Sequence, residues 1–66
     1  MKLVKFTNSF NNKPLYINIF QIGSVSESEK GGTTITSTTH NNGGFRVEES
    51  LKYVINQIEH YMKNNN

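Results

Sequence analysis

The sequence predicts a small α+β domain, in which an antiparallel β-meander of three to four strands precedes one C-terminal amphipathic helix packed on the sheet. Up to residue 47, short apolar or β-branched runs alternate with clusters of asparagine, glycine and serine, as in strands joined by turns. From residue 47 to residue 62, apolar residues recur at helical spacing instead. The chain has 66 residues, which is the size of one small domain.

The first strand is predicted over residues 2–7, where Val4 and Phe6 fall on one face. The segment NSFNNK, residues 8–13, has the composition of a turn, because asparagine side chains bond to nearby backbone and tolerate left-handed φ. Pro14 donates no hydrogen bond to a sheet, so we expect it to open the second strand.

The second strand is predicted over residues 15–25, the most apolar stretch of the chain. One face takes the aliphatic side chains and the other takes Tyr16 and Phe20. Ile22 and Val25 are three residues apart, which breaks the period of two. We therefore expect this strand to be kinked or bulged between residues 18 and 23.

A hairpin is predicted to complete the sheet after a charged, glycine-containing loop at residues 26–32. TTITSTT, residues 33–39, is rich in β-branched threonine and reads as a strand. HNNGG, residues 40–44, supplies the positive φ angles of a tight turn, and GFRV, residues 44–47, forms the returning strand.

The helix is predicted from about residue 49 to residue 63, and the domain from residue 1 to residue 63 with a frayed tail at 64–66. Glu48 and Glu49 fall in the expected first turn, and His60 and Lys63 in the last, as the helix dipole favours. The apolar stripe expected to face the sheet consists of Val47, Leu51, Val54, Ile55, Ile58 and Met62.

Composition points to self-association. Only 33% of the residues are hydrophobic, which is little for a domain that must hold a core alone. The chain has no cysteine, so neither a disulfide nor a thiolate metal site can supply the missing stability. We therefore expect a homo-oligomer.

Catalysis is not indicated. Glu48 and Glu49 are adjacent and point in different directions, while His40 and His60 lie in different elements and share no ligand spacing. None of the common phosphate-, dinucleotide- or zinc-binding motifs is present. The sequence thus predicts a non-enzymatic protein with no catalytic, cofactor-binding or metal-binding residues.

Charge and hydropathy argue against nucleic-acid binding and against membrane insertion. The formal net charge is +2, and the basic residues are scattered along the chain rather than clustered. Binding to RNA or single-stranded DNA is the alternative function, with Phe45 for stacking and Arg46 for the backbone. No apolar run reaches membrane-spanning length, and we expect a cytoplasmic protein.

A protein-binding face is the favoured prediction. One helix covers only one face of so small a sheet, which leaves Tyr16 and Phe20 as an apolar patch on the other face. Thr36 and Thr38 would form its polar rim. We expect this face to bind a second copy of the chain and an unidentified protein partner, which makes the protein an adaptor or regulator.

The order of elements resembles the small FlbD/SwrD family of flagellar and swarming-motility proteins, over residues 2 to 61 approximately. That resemblance implies the same fold and a role in motility, and the family has no catalytic residues to transfer. A bacteriophage or mobile-element protein that acts on a host protein is the alternative source for this pattern. The matching positions are Ile17-Asn18, Ile22 with Val25, Thr34-Ile35-Thr36, Asn42-Gly43, and Val47 with Glu49-Ser50.

Overall fold

Five β-strands and one α-helix follow one another in a computed structural model, which describes residues 2–38 and 44–63. The predicted turn at 40–43, with His40, and the predicted tail at 64–66 lie outside the described residues. The elements are β1 (Leu3–Thr7), β2 (Pro14–Asn18), β3 (Ile22–Glu27), β4 (Thr33–Ser37), β5 (Gly44–Val47) and α1 (Leu51–Lys63).

The strands form two antiparallel sheets, one of β1 and β2 and one in the order β3-β4-β5. The helix follows them and packs against the sheets, so the predicted α+β class is confirmed. In the first sheet Val4 pairs with Ile17 and Phe6 with Leu15, which places their side chains on one inward face.

The predicted kink in the long apolar run is a 3-10 helix, Ile19–Gln21, between β2 and β3. The side chain of Asn18 caps it by accepting a hydrogen bond from the backbone N–H of Phe20 at 3.1 Å. A register shift between Ile22 and Ser24 follows at once. The run therefore supplies two strands in different sheets, which accounts for the strand beyond the three to four that the pattern predicts.

Backbone hydrogen bonds join the two sheets where β1 runs past β5. Asn8 and Val47 form an isolated antiparallel bridge. On either side of it, the N–H of Ser9 donates to the carbonyl of Arg46 at 3.0 Å, and the N–H of Glu48 donates to the carbonyl of Thr7 at 2.9 Å. The strands thus enclose one shared core.

The core draws one or two residues from almost every element. Thr33 is the buried polar residue among those described. Its hydroxyl donates to the backbone carbonyl of Glu49 at 2.9 Å, so its burial leaves no unpaired donor. The buried apolar side chains are Val4, Phe6, Ile17, Ile19, Ile35, Val47 and Val54.

The helix begins at Leu51, two residues later than about residue 49, because Ser50 caps it. The Ser50 hydroxyl accepts a hydrogen bond from the N–H of Tyr53 at 3.2 Å. The first-turn position predicted for Glu48 and Glu49 is therefore wrong, since both precede the helix. The predicted last-turn positions of the basic residues at 60 and 63 are confirmed.

The buried stripe of α1 differs from the predicted one. Val54 is fully buried, and Ile58 and Tyr61 pack against the core at steps of four and three residues. Ile55 and Met62 lie to one side of this line. Ile55 is 38% exposed and Met62 is 47% exposed. The predicted burial of Ile55 is wrong because Tyr61 takes the last inward position, which turns the stripe away from Ile55.

Candidate interaction surface

The outer face of the β1–β2 hairpin carries two large apolar side chains in the open. Leu3 pairs with Asn18 and Lys5 pairs with Tyr16, so Leu3 and Tyr16 are diagonal neighbours on one face. Leu3 is 50% exposed and Tyr16 is 60% exposed. The pleat forces this exposure, because Val4 and Ile17, their chain neighbours, point into the core. We call Leu3, Lys5 and Tyr16 the hairpin face.

The 3-10 helix turns the next aromatic residue outward. Ile19 is buried and its N–H donates to the carbonyl of Lys2 at 2.9 Å, whereas Phe20 is 47% exposed. Tyr16 and Phe20 are therefore both accessible. They do not lie on one face of one strand, as the sequence pattern indicated, since β2 ends at Asn18.

A groove of about 250 Å³ opens between the hairpin face and the second sheet. The apolar part of its lining comes from Leu3, Tyr16 and Phe45. The polar part comes from Asn18, Gln21 and Ser37. Small-molecule sites occupy roughly 300–1,000 Å³, so this groove is undersized for a drug-sized ligand. An apolar cavity of about 150 Å³ holds a benzene ring, so the groove has room for one aromatic side chain.

The two predicted rim threonines occupy different surfaces. The N–H of Thr38 donates to the carbonyl of Gln21 at 2.8 Å, which places Thr38 beside the groove. Thr36 precedes Ser37 in β4, and successive residues of a strand face opposite sides. Because Ser37 lines the groove, Thr36 points to the other side of the sheet. Of the predicted interface residues, Tyr16 lines the groove, Thr38 contacts the backbone of the groove residue Gln21, and Thr36 lies away from it.

Phe45 and Arg46, the residues of the nucleic-acid alternative, also point to opposite faces of β5. Phe45 is partly buried, packs against the core and lines the groove. The Nε of Arg46 donates to the Ser9 hydroxyl at 3.1 Å, and its guanidinium carbon lies 5.2 Å from the centroid of the Phe10 ring. Phe45 and Arg46 are thus not presented together as a stacking ring and a phosphate-binding cation.

Phe10 is an exposed aromatic residue that the sequence patterns did not single out, because it lies in a turn rather than in a periodic element. It is 81% exposed at the end of the hairpin. Its backbone N–H donates to the Asn8 side chain at 2.8 Å. An aromatic residue inside an asparagine-rich turn was the signal available, since such turns reach the surface.

Two of the side chains considered as catalytic candidates, Glu49 and His60, make contacts within the fold. Both carboxylate oxygens of Glu49 accept hydrogen bonds from Thr7, while Glu48 is exposed. The His60 ring packs edge-on against Tyr61 with ring centroids 5.3 Å apart. Across residues 2–38 and 44–63 no three acidic or imidazole side chains gather as metal ligands would, and no helix combines the length and apolar character needed to cross a membrane.

Comparison with protein-family models, with curated proteins and with solved structures finds no match for this chain.

Proposed function

We propose that this protein is a small, non-enzymatic, homo-oligomeric interaction module that binds through the hairpin face and the adjoining groove. The observation that supports it is the diagonal placement of two half-exposed apolar residues, Leu3 and Tyr16, beside one groove. Contiguous exposed apolar surface commonly marks a protein contact. The groove is too small for most cofactors and suits a side chain of another protein.

Self-association on this face follows from its energetics. Burying one large apolar side chain stabilises a contact by roughly 1.5–3 kcal/mol. A contact between two copies across a two-fold axis counts each such residue twice. Lys5 lies directly opposite Tyr16 and two residues along β1 from Leu3, and its aliphatic stem can cover apolar surface while the ammonium group stays in water.

The pathway proposed is motility, as an adaptor or regulator of a flagellar or swarming protein. We base this role on the resemblance to FlbD and SwrD proteins. An action on a host protein by a bacteriophage or mobile-element protein is the alternative. A swarming assay on a strain that lacks the gene separates the two: loss of swarming, restored by the wild-type gene but not by a Tyr16→Lys gene, supports the motility role. Unchanged swarming contradicts it.

Nucleic-acid binding ranks second because Arg46 already contacts Ser9 and Phe10 and is directed away from Phe45. The remaining basic side chains do not converge on the hairpin face, where Lys5 is the one cation among the defined residues. An electrostatic surface for a phosphate backbone would need several together.

Light scattering at micromolar concentration tests the proposed function. We expect a mass at least twice the 7.5 kDa of one chain. Tyr16→Lys should reduce that mass to one chain without changing the circular dichroism spectrum, because Tyr16 is 60% exposed and its loss leaves the core intact. Tyr53→Lys, at a 45% exposed position on the helix, is the matched control and should leave the oligomer unchanged. A monomeric wild-type protein would contradict the proposal.

A further inference from the structure

The strand β3 is an edge of its sheet. In the order β3-β4-β5 of the described strands it has a neighbour on one side, and with six residues it is the longest of them. It contains neither proline nor lysine, which commonly guard an edge, whereas β2 at the edge of the first sheet begins with Pro14. Ser24, Ser26 and Glu27 are exposed. The edge of β3 is therefore accessible and unguarded.

The backbone groups on the open side of β3 belong to Val25 and Glu27. The N–H of Ser28 donates to the carbonyl of Gly32, just before β4, at 3.1 Å. Because alternate residues of an antiparallel strand bond to the same neighbour, Ser26 also faces β4, while Val25 and Glu27 face away from it. Within the described part of the chain no other strand pairs with Val25 or Glu27 on that side.

The neighbouring strand shows the same alternation. Val25 lies opposite Ile35 in β4. A methyl group on Gly44 would overlap the carbonyl oxygen of Ile35, so this carbonyl points to β5 rather than to β3. Val25 and Ile35 are thus a pair without mutual hydrogen bonds, and the N–H and C=O of Val25 are directed to the open side. Each open residue offers one donor and one acceptor to an added strand.

A second copy of β3 matches this edge poorly in each two-fold register. An axis at Val25 brings Glu27 opposite Gly23, the extra residue at the register shift of this strand, where the ladder is irregular. An axis at Ser26 brings the carboxylate of Glu27 against the apolar Val25. An axis at Glu27 brings two like charges directly opposite each other, which destabilises a pair. A strand of different sequence avoids all three mismatches.

We propose that the open edge of β3 receives an extended segment of a partner protein, which adds antiparallel to β3 as a further strand of the second sheet. The segment exchanges both backbone hydrogen bonds with Val25 and both with Glu27. An apolar residue in it lies opposite Val25, which packs against the core, and a basic residue two positions earlier lies opposite the Glu27 carboxylate. This site goes beyond the proposed function, since the hairpin face joins two copies and β3 holds the partner.

Amide hydrogen exchange tests the open edge directly. In the free protein the amides of Val25 and Glu27 should exchange faster than that of Ser26, which is paired in the ladder. The probe is the peptide Thr-Lys-Thr-Val-Thr-Thr, blocked at both ends, whose lysine falls opposite Glu27 when its valine falls opposite Val25. At a peptide concentration about ten times Kd, exchange at both residues should slow about tenfold. Unchanged exchange with the peptide at millimolar concentration would overturn the proposal.

Two variants of Glu27 separate the backbone contact from the charge. Glu27→Pro removes the N–H on the open side, where an edge strand tolerates proline, so the thermal midpoint should hold while peptide binding is lost. Ser26→Pro is the matched control: it removes a ladder N–H and should lower the midpoint. Glu27→Lys should weaken the lysine peptide about fivefold and prefer the same peptide with glutamate in place of lysine.

A Glu27→Pro protein that keeps both its midpoint and its affinity for the peptide would contradict the strand-addition site. Should proline unfold the domain, Glu27→Lys decides, and an unchanged preference for the lysine peptide would sink the proposed register.

Failure of this inference differs from failure of the proposed function. Tyr16→Lys should lose the oligomer and bind the peptide like the wild type. A wild-type oligomer whose Val25 and Glu27 the peptide does not protect would overturn the edge site alone. A wild-type monomer that binds the peptide would contradict the oligomer and support the edge site. Protection that rises with protein concentration without peptide, and persists in Tyr16→Lys, would place a second copy on β3 and overturn the partner strand.

Discussion

The carboxylate of Glu49 accepts two hydrogen bonds from Thr7, one from its backbone N–H and one from its hydroxyl, each 3.0 Å long. The backbone carbonyl of Glu49 accepts a third bond from the buried Thr33 hydroxyl. Glu49, which precedes the helix, thus joins the first strand to the fourth.

Replacing Glu49 with alanine should destabilise the fold. The change leaves the Thr7 N–H and hydroxyl without their acceptor, and hydrogen bonds to charged groups contribute about 1.5–3 kcal/mol. We expect the lower end of that range, because Glu49 is only partly buried. Since one kcal/mol shifts the midpoint of so small a domain by about 4–8 °C, calorimetry resolves the effect. Glu48→Ala, at the exposed neighbour, should be nearly silent, and equal effects would refute the role of Glu49.

Val54 and Ile55 should respond very differently to the same charge. Val54→Asp forces an unpaired carboxylate into the core and should unfold the domain. Ile55→Asp places it at a site that is 38% exposed and should lower the thermal midpoint by only a few degrees, on the order of a surface change. Circular dichroism melts of the two variants measure this. Unfolding by both would mean that Ile55 faces the core after all.

Two neighbouring glycines should differ in their tolerance of alanine. Gly31 and Gly32 both have positive φ, at +93° and +76°. A Cβ at Gly31 meets open space, so Gly31→Ala should cost only the backbone strain of about 1–2 kcal/mol. A Cβ at Gly32 would overlap the carbonyl oxygen of Val47, so Gly32→Ala should cost clearly more. Chemical denaturation of the pair checks the order, which a more stable Gly32→Ala protein would reverse.

Nucleic acid should bind only weakly and without specificity. Any affinity carried by basic side chains on phosphates must fall as salt rises. Polarisation titrations with single-stranded RNA and duplex DNA should show no specific complex near physiological salt. Submicromolar binding that Arg46→Ala abolishes would favour the nucleic-acid function, provided that the variant keeps its thermal midpoint despite losing its contact with Ser9.

Local periodicity was enough to predict most elements. The alternation of Val4 and Phe6, the threonine strand and the helical spacing after Ser50 each depend on short-range geometry, and the structure confirms them. The kink after Asn18 was also predictable, since a period of two fails there.

Tertiary contacts were not predictable in the same way. The burial of Ile55 was wrongly predicted because helical spacing alone allows two adjacent stripes, and only packing against the sheets selects the one through Val54 and Tyr61. Glu49 looked like a dipole partner because nothing in the sequence shows that Thr7 lies beside it. The exposure of Phe10 was not predictable, because it lies in a turn without periodicity and its ring contacts Arg46, which is distant in sequence.

The bonds between Thr7 and Glu49 span 42 residues, and this separation sets the order in which the chain can fold. Closing so long a loop costs entropy before any contact compensates for it, and such non-local pairings slow folding. On a ribosome, β1 and β2 can pair early, but their inner face has no lasting cover until Val47 and Val54 have left the exit tunnel. The domain must therefore fold after β5 and α1 have emerged, and the N-terminal hairpin lacks its full core until then.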